Sequence, residues 1–325
     1  MNFIVTGIGA GLVSALLTAV VVKATPLAAV LYLLAPIPVL IVSLGWNHRS
    51  GLVAAVVGGL AIAAFISPLS GVGFALVTAL PAWWLAYLFL LGRPAQDGTM
   101  EWYPVGRLLA WIAGTAALTT VATAVISSGG DYETLLQNSR EFSEAFINLQ
   151  SPPESPDALD PETRRQLIDA LARGTPFLSA FGFTVFLAFY LWAAGRIVHA
   201  SKRLPRPWPS LPELAMPRFS GLVLVLAFLL VNFIDGFAGV LGYALLGAFF
   251  AAFVMQGLAF IHDWTRGKPA RPFILTGLYL LVFLTQAVLM IPLALLGLTD
   301  AVIGFRRRRL ADANSRGPFP PDHNP

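Results

Sequence analysis

Polar side chains inside long apolar sequence are the first place to look for chemistry, because a bilayer or a core tolerates them only when they are paired or used. Five stand out: Asn232 and Asp235, three residues apart and so on one helical face, then Gln256, Gln286 and Asp300. Each has a plainer reading beside the functional one. Asp235 precedes a glycine and would stop a helix, and the two glutamines could bond each other or a carbonyl across helices. Asp300 could pair with the run Arg306, Arg307, Arg308 and Arg309, which otherwise reads as a basic anchor or a clamp for phospholipid headgroups. Asn232, Asp235 and Gln256 are candidate ligand-binding residues. Pro36, Pro38, Trp83 and Trp84 join them: prolines inside an apolar segment break the helical bonding that a cavity can exploit, and paired tryptophans deep in a segment either fill the core or stack on a flat ligand.

For catalysis the inventory is thin. The four histidines, His48, His199, His262 and His323, fall at segment edges or in the tail, and none has a partner at metal-ligand spacing. His262 and Asp263 are adjacent and so cannot face one ligand from a helix. There is no cysteine, which excludes disulfides, thiolate nucleophiles, iron–sulfur clusters and cysteine-type zinc sites. No paired carboxylates lie within an apolar segment. No enzyme, cofactor or metal site is expected.

Near the start, Gly7, Gly9 and Gly11 superficially match a dinucleotide loop, but no strand precedes them and they lie inside an apolar segment. Gly11, Ala15 and Ala19 instead form a small-residue stripe at spacing four, the pattern that lets membrane helices approach closely. It predicts either packing within the molecule or a docking face for another membrane subunit.

The elements that must position these residues follow from composition. Of 325 residues 57% are hydrophobic and 12% charged, with 29 glycines and 24 prolines, a mix suited to lipid rather than water as the solvent. A spanning helix needs about 20 apolar residues. On that rule nine segments are predicted: 3–22, 27–44, 51–66, 69–91, 105–126, 176–198, 219–234, 237–261 and 273–298. The third and seventh are short for a plain crossing. The net charge of +4 belongs to basic residues beside apolar segments, a juxtamembrane pattern and not a nucleic-acid face.

One long polar island interrupts the chain. Residues 127–173 carry nine acids against four arginines, whereas the shorter connections are mostly basic. By the positive-inside rule the island faces outward and the N-terminus is cytoplasmic. Every basic loop then agrees up to the ninth segment, whose plain crossing would put Arg306–Arg309 outside. The expectation adopted is a cytoplasmic tail with one short segment not fully spanning. Within the island, Asp160-Pro161-Glu162 is a helix start. Two amphipathic helices broken at Ser151-Pro152-Pro153 are predicted, the first carrying Tyr132, Leu135, Leu136, Phe142, Phe146 and Leu149. Five prolines in 203–217 predict an extended, largely cytoplasmic connector, and the end from Ala311 a disordered tail.

The expected fold is therefore an all-α polytopic transmembrane helix bundle of about eight to nine membrane segments with an amphipathic helical insert. Its divisions are a six-helix membrane core 1–198 including the insert 127–173, a Pro-rich basic loop 199–218, C-terminal membrane helices 219–298 and a basic tail 299–325.

The chain resembles the YybS-like family of uncharacterised bacterial membrane proteins. The resemblance rests on Pro36-Ile37-Pro38 followed by Asn47-His48-Arg49-Ser50-Gly51, on Met255-Gln256-Gly257-Leu258-Ala259-Phe260, and on Leu296-Gly297-Leu298-Thr299-Asp300 leading to Phe305-Arg306-Arg307-Arg308. The first six segments are in turn similar to the substrate-binding subunits of energy-coupling-factor vitamin transporters, matching at Pro36, Pro38, Gly51 and the stripe Gly11, Ala15, Ala19. The long insert and the extra C-terminal segments depart from that pattern. The resemblance implies a multi-pass protein of the bacterial cytoplasmic (inner) membrane. Its partners would be the lipid bilayer, with another membrane subunit or a homo-oligomer, and no nucleic acid. The leading expectation is a non-enzymatic, transporter-like subunit that binds a small molecule near the outer mouth under the acidic insert. The alternative is a scaffold whose basic loops and tail recruit a cytoplasmic protein or anionic lipid.

Overall fold

Prolines and short polar caps punctuate the apolar sequence into helices. The computed structural model describes residues 2–152, 159–210, 214–285 and 288–306. In order they form α1 (Phe3–Ala19), extended by a tight turn to Lys23, α2 (Pro26–Leu33), α3 (Pro36–Gly45), α4 (His48–Phe65), α5 (Pro68–Phe74) and α6 (Leu80–Leu90). A small hairpin, β1 (Gly92–Pro94) with β2 (Met100–Trp102), leads to α7 (Val105–Ser127), α8 (Tyr132–Gln150) and α9 (Pro161–Ala200). The chain ends in α10 (Ser220–Phe233), α11 (Gly236–Trp264), α12 (Arg271–Leu284) and α13 (Met290–Ile303). Helices α2, α3, α5, α9 and α12 each carry proline at the first or second position, where its missing N–H would have no helical partner anyway. Asn2, Thr25, Asn47, Ser67, Asp131 and Asp160 accept from the first free N–H groups of their helices.

Among the described residues, seven stretches are long and apolar enough to cross a membrane: Phe3–Lys23, Pro26–Gly45, His48–Phe65, Pro68–Leu90, Val105–Ser127, Pro161–Ala200 and Gly236–Trp264. Three shorter apolar helices, α10, α12 and α13, complete the bundle. Against the expected eight to nine membrane segments, the described residues hold seven long and three short apolar helices. The difference lies chiefly in the stretch 273–298, which is two helices rather than one. Pro292 explains part of the break: it falls in the first turn of α13, where no helical acceptor is lost, whereas in a continuous helix it would delete a backbone bond. The segment 27–44 divides likewise, with a turn at Leu34 and Ala35 ahead of Pro36. Ser14 of α1 donates to the Ala35 carbonyl at 2.5 Å. Before Pro81 the helix widens into a π-helical stretch, Ala75–Ala79, where the proline cannot donate to the preceding turn.

The second island helix and the sixth predicted segment are one element. α9 runs 40 residues through Pro176, about 60 Å of helix, twice the roughly 30 Å a hydrocarbon core requires. Its first turns pair with α8 through Arg140 Nε to Asp169 Oδ1 at 2.9 Å and through Arg164 to Asn148 and the Ser151 carbonyl. The acidic insert is therefore a projecting helical hairpin, capped at Asp131 and Asp160. Both cap carboxylates are held below the ordinary aspartate range, first by the Thr134 and Thr163 hydroxyls and then by backbone N–H groups. The Pro153 end of the predicted break lies outside the described residues.

α11 is the hub, packed against α7, α9, α10 and α13. Small residues make those crossings close. A Cβ on Gly257 would lie 2.0 Å from the Leu293 carbonyl oxygen, and one on Gly297 2.0 Å from that of Phe253, so the α11–α13 crossing is backbone against backbone. The connections fall at two ends. One holds the island. The other gathers the basic turns: Arg203 lies 4.4 Å from the Trp46 ring, Arg206 donates to the Phe89 carbonyl, and Arg306 donates to that of Leu214. α13 runs antiparallel to α11, Leu293 against Gly257 and Gly297 against Phe253, and the chain then turns at Gly304 so that Arg306 meets the strap at Leu214.

Candidate functional site

Residues 201–219 do not lie loose across the basic end. The described residues among them form no regular helix or strand, and Pro205, Pro207, Pro209 and Pro217 favour extended backbone there, yet Met216 is fully buried and Arg206 is 6% exposed. Arg206 stacks over the Phe89 ring at 4.7 Å while Nη1 donates to the Phe89 carbonyl at 2.9 Å. The stretch is a strap, fastened at one side by Arg206.

Its other fastening is a buried polar cluster. Gln256 of α11, fully buried, accepts from the Met216 N–H at 2.9 Å and donates from Nε2 to Asp300 Oδ2 at 2.9 Å. Asp300 of α13 pairs with Arg306, whose Nη2 and Nε lie 2.6 and 3.0 Å from the same oxygen; Nη2 also donates to the Leu214 carbonyl at 2.5 Å. Gly304, with φ of 72°, lets α13 end in a left-handed cap, so that Arg306 can turn back onto Asp300 six residues earlier. With Asp300 2% and Arg306 6% exposed, this pair is desolvated and compensated by its own hydrogen bonds.

Under the strap lies a cavity of about 430 Å³, within the roughly 300–1,000 Å³ typical of small-molecule sites. Val105, Leu108, Leu109 and Ile112 of α7, Ala188, Leu191 and Trp192 of α9, and Met255, Leu258 and Ala259 of α11 form its walls. Trp208, Pro209 and Leu214 of the strap roof it. Its polar groups sit together at one side: His262 Nε2 lies 2.9 Å from Tyr279 Oη, a bond either group can donate. Arg196 stands 5.2 Å from the Trp208 ring.

The residues singled out by sequence are dispersed. Gln256 belongs to the strap fastening, with both ends of its amide engaged. Asn232 donates to the Phe228 carbonyl of its own helix and is exposed. Asp235 lines a separate cleft of about 290 Å³ at the island end, with Tyr132, Arg173 and Tyr243. A neighbouring cleft of about 370 Å³ is lined by hydroxyls of α7 and α9, including Thr120, Thr123, Thr175 and Ser179. Trp83 and Trp84 both stack on Tyr87, at 6.3 and 5.9 Å, and Trp84 meets Trp111 edge-on, so the pair sits in an aromatic cluster that fills itself. The Trp83 indole N–H is buried there without a partner, as is His48 Nδ1, whose ring meets Tyr87 at 5.1 Å. Pro36 is buried at the start of α3, with Pro38 two residues on. Gly11 and Ala15 are buried; a Cβ on Gly11 would lie 2.5 Å from the Ala54 carbonyl oxygen of α4, and Ala19 is partly buried beside them. Arg306 sits in the strap fastening; Gln286, Arg307, Arg308, Arg309 and the tail from Ala311 lie outside the described residues.

Sequence reasoning missed Tyr279, His262, Trp208 and the strap itself. The signal was present in Arg206-Pro207-Trp208-Pro209, a large aromatic within a loop otherwise suited to solvent. No curated protein and no solved structure is detectably similar to this chain. Residues 12–301, most of the chain, match one family, and this protein accordingly belongs to the family described as Predicted membrane protein (DUF2232).

Proposed function

We propose that this integral membrane protein is a non-enzymatic, transporter-like binding subunit that holds a small, largely apolar molecule in the cavity beneath the strap. The observation that carries the reading is the cavity itself: an apolar chamber between α7, α9 and α11 with one convergent polar pair, His262 and Tyr279. By the positive-inside rule the strap end faces the cytoplasm of a bacterial inner membrane and the insert faces outward. The transport role rests on the resemblance read from Pro36, Pro38, Gly51 and the stripe Gly11, Ala15, Ala19. The site differs from the one anticipated beneath the insert, where the two clefts are smaller. Of the basic anchor that a scaffold would present, Arg306 is engaged within the molecule.

The test is thermal unfolding of the purified full chain in neutral detergent against a panel of metabolites, vitamins and amphiphiles. A specific binder at a hundredfold excess over Kd stabilises the fold by about 2.7 kcal/mol. That shift should saturate and should vanish in Ala259→Trp and Ala188→Trp, which fill the chamber, while Trp84→Ala keeps it. A saturable hit indifferent to both filling variants would overturn the reading.

A further inference from the structure

On the premise that this cavity binds a ligand, its chemistry narrows the ligand class. The deep walls, Leu108, Leu109, Ile112, Leu191, Met255 and Leu258, offer nothing to a polar group. The side chains in its lining that can donate are Trp192 of α9, Trp208 of the strap, His262 and Tyr279. A molecule matching that gradient has an apolar tail and a polar head.

Charge specifies the head. Residues 192–210 and 260–279, which frame the cavity, hold seven lysines and arginines: Arg196, Lys202, Arg203, Arg206, Arg266, Lys268 and Arg271. Asp263, their one acid, lies about 100° around the helix from His262, and the rest of the strap adds Glu213 and Arg218. Arg196 of α9 stands beside Trp208, and Arg271 opens α12, the helix that supplies Tyr279. Lys268 lies 3.2 Å over the Trp264 ring, an arrangement suited to the interface between headgroup and hydrocarbon. Arginines, an indole N–H, an imidazole and a phenol converging on one mouth suit a phosphate, which accepts several hydrogen bonds at once.

We propose that the cavity takes an anionic amphiphile with a phosphate head, its tail between α7, α9 and α11 and its head among Trp208, His262, Tyr279, Arg196 and Arg271. Two sources share that chemistry, a phospholipid of the surrounding leaflet and a polyprenyl phosphate. The experiment is native mass spectrometry of the full chain released from a neutral detergent, with four probes: phosphatidylglycerol, a polyprenyl phosphate, the matching polyprenyl alcohol and inorganic phosphate. One of the phosphate amphiphiles should be retained roughly tenfold better than the alcohol, a difference of about 1.4 kcal/mol, and inorganic phosphate should not be retained. Whichever amphiphile is retained identifies the source. Arg196→Gln with Arg271→Gln should bring the phosphate amphiphile down to the level of the alcohol and leave the alcohol unchanged; Ala259→Trp should abolish both. Equal retention of alcohol and phosphate amphiphile, both lost in Ala259→Trp, would overturn the anionic head and leave the cavity reading standing. Retention that survives Ala259→Trp would overturn the cavity reading with it.

Discussion

The two ends of this molecule use the same ion pair in opposite ways. At the island end, Arg140 meets Asp169 across the insert hairpin with both side chains nearly half exposed, at 46% and 48%. At the basic end, Arg306 meets Asp300 with 6% and 2% exposed, and each member has further hydrogen bonds to the strap or to α11. Water screens the first pair and adds little to its worth. The second is buried, so its members are interdependent, and removing either takes a charged partner from a desolvated group. The insert hairpin is thus held by separate, partly exposed polar contacts, from Arg140 and from Arg164, while the strap end is held by one buried, connected polar cluster.

That contrast can be broken most sharply at Asp300. Asp300→Leu should destabilise the fold by about 3–5 kcal/mol, because the buried Arg306 guanidinium loses the carboxylate it meets at 2.6 Å and Gln256 loses an acceptor. Thermal unfolding in neutral detergent measures it, and Asp300→Leu with Arg306→Leu should recover part of the loss, an outcome a merely tight-packing role would not give. Next in size, Gly297→Leu drives a side chain into the Phe253 carbonyl and should cost about 1–3 kcal/mol by the same assay; the loss should be accompanied by greater protease access to the strap. At the other end, Arg140→Ala should change stability by less than about 1 kcal/mol, and the change should shrink further in high salt. A loss as large as that of Asp300→Leu would mean that the insert is as tightly coupled as the strap.

The smallest effect concerns pH. Asp131 and Asp160 have folded-state pKa values below the ordinary aspartate value, so their caps contribute fully above the unfolded value of about 3.9 and are lost as pH falls through the lower folded value. Helicity of the insert, followed by circular dichroism, should therefore be flat from neutral pH to about 5 and decline only below about 4. Asp131→Asn with Asp160→Asn should flatten that decline.

Much of this architecture is written in local signals. Asp160-Pro161-Glu162 starts a helix where expected, because cap, proline and dipole act within four residues. The apolar runs locate the spans, because a bilayer demands length and hydrophobicity before anything else. The site was much less legible. Gln256 carries a correct signal, a polar group that must be satisfied, but nothing nearby in sequence says that its partners are Met216, 40 residues away, and Asp300, 44 away. Trp83 and Trp84 read as a ligand platform or as core, and the structure surrounds them with Tyr87, Trp111 and His48.

By itself, then, the sequence determined a basic all-α membrane chain, its helix starts, its acidic insert and the small residues that permit close crossings, all set by composition or by interactions within a turn or two. Tertiary structure alone decided that 273–298 divides into two helices and that the Pro-rich loop becomes a strap. It also decided that Arg306 faces inward to Asp300 and that a cavity opens beneath Trp208. The reason is that burial of a charge, and the space left between helices, depend on which faces meet, and for these residues the faces come from elements far apart in the chain.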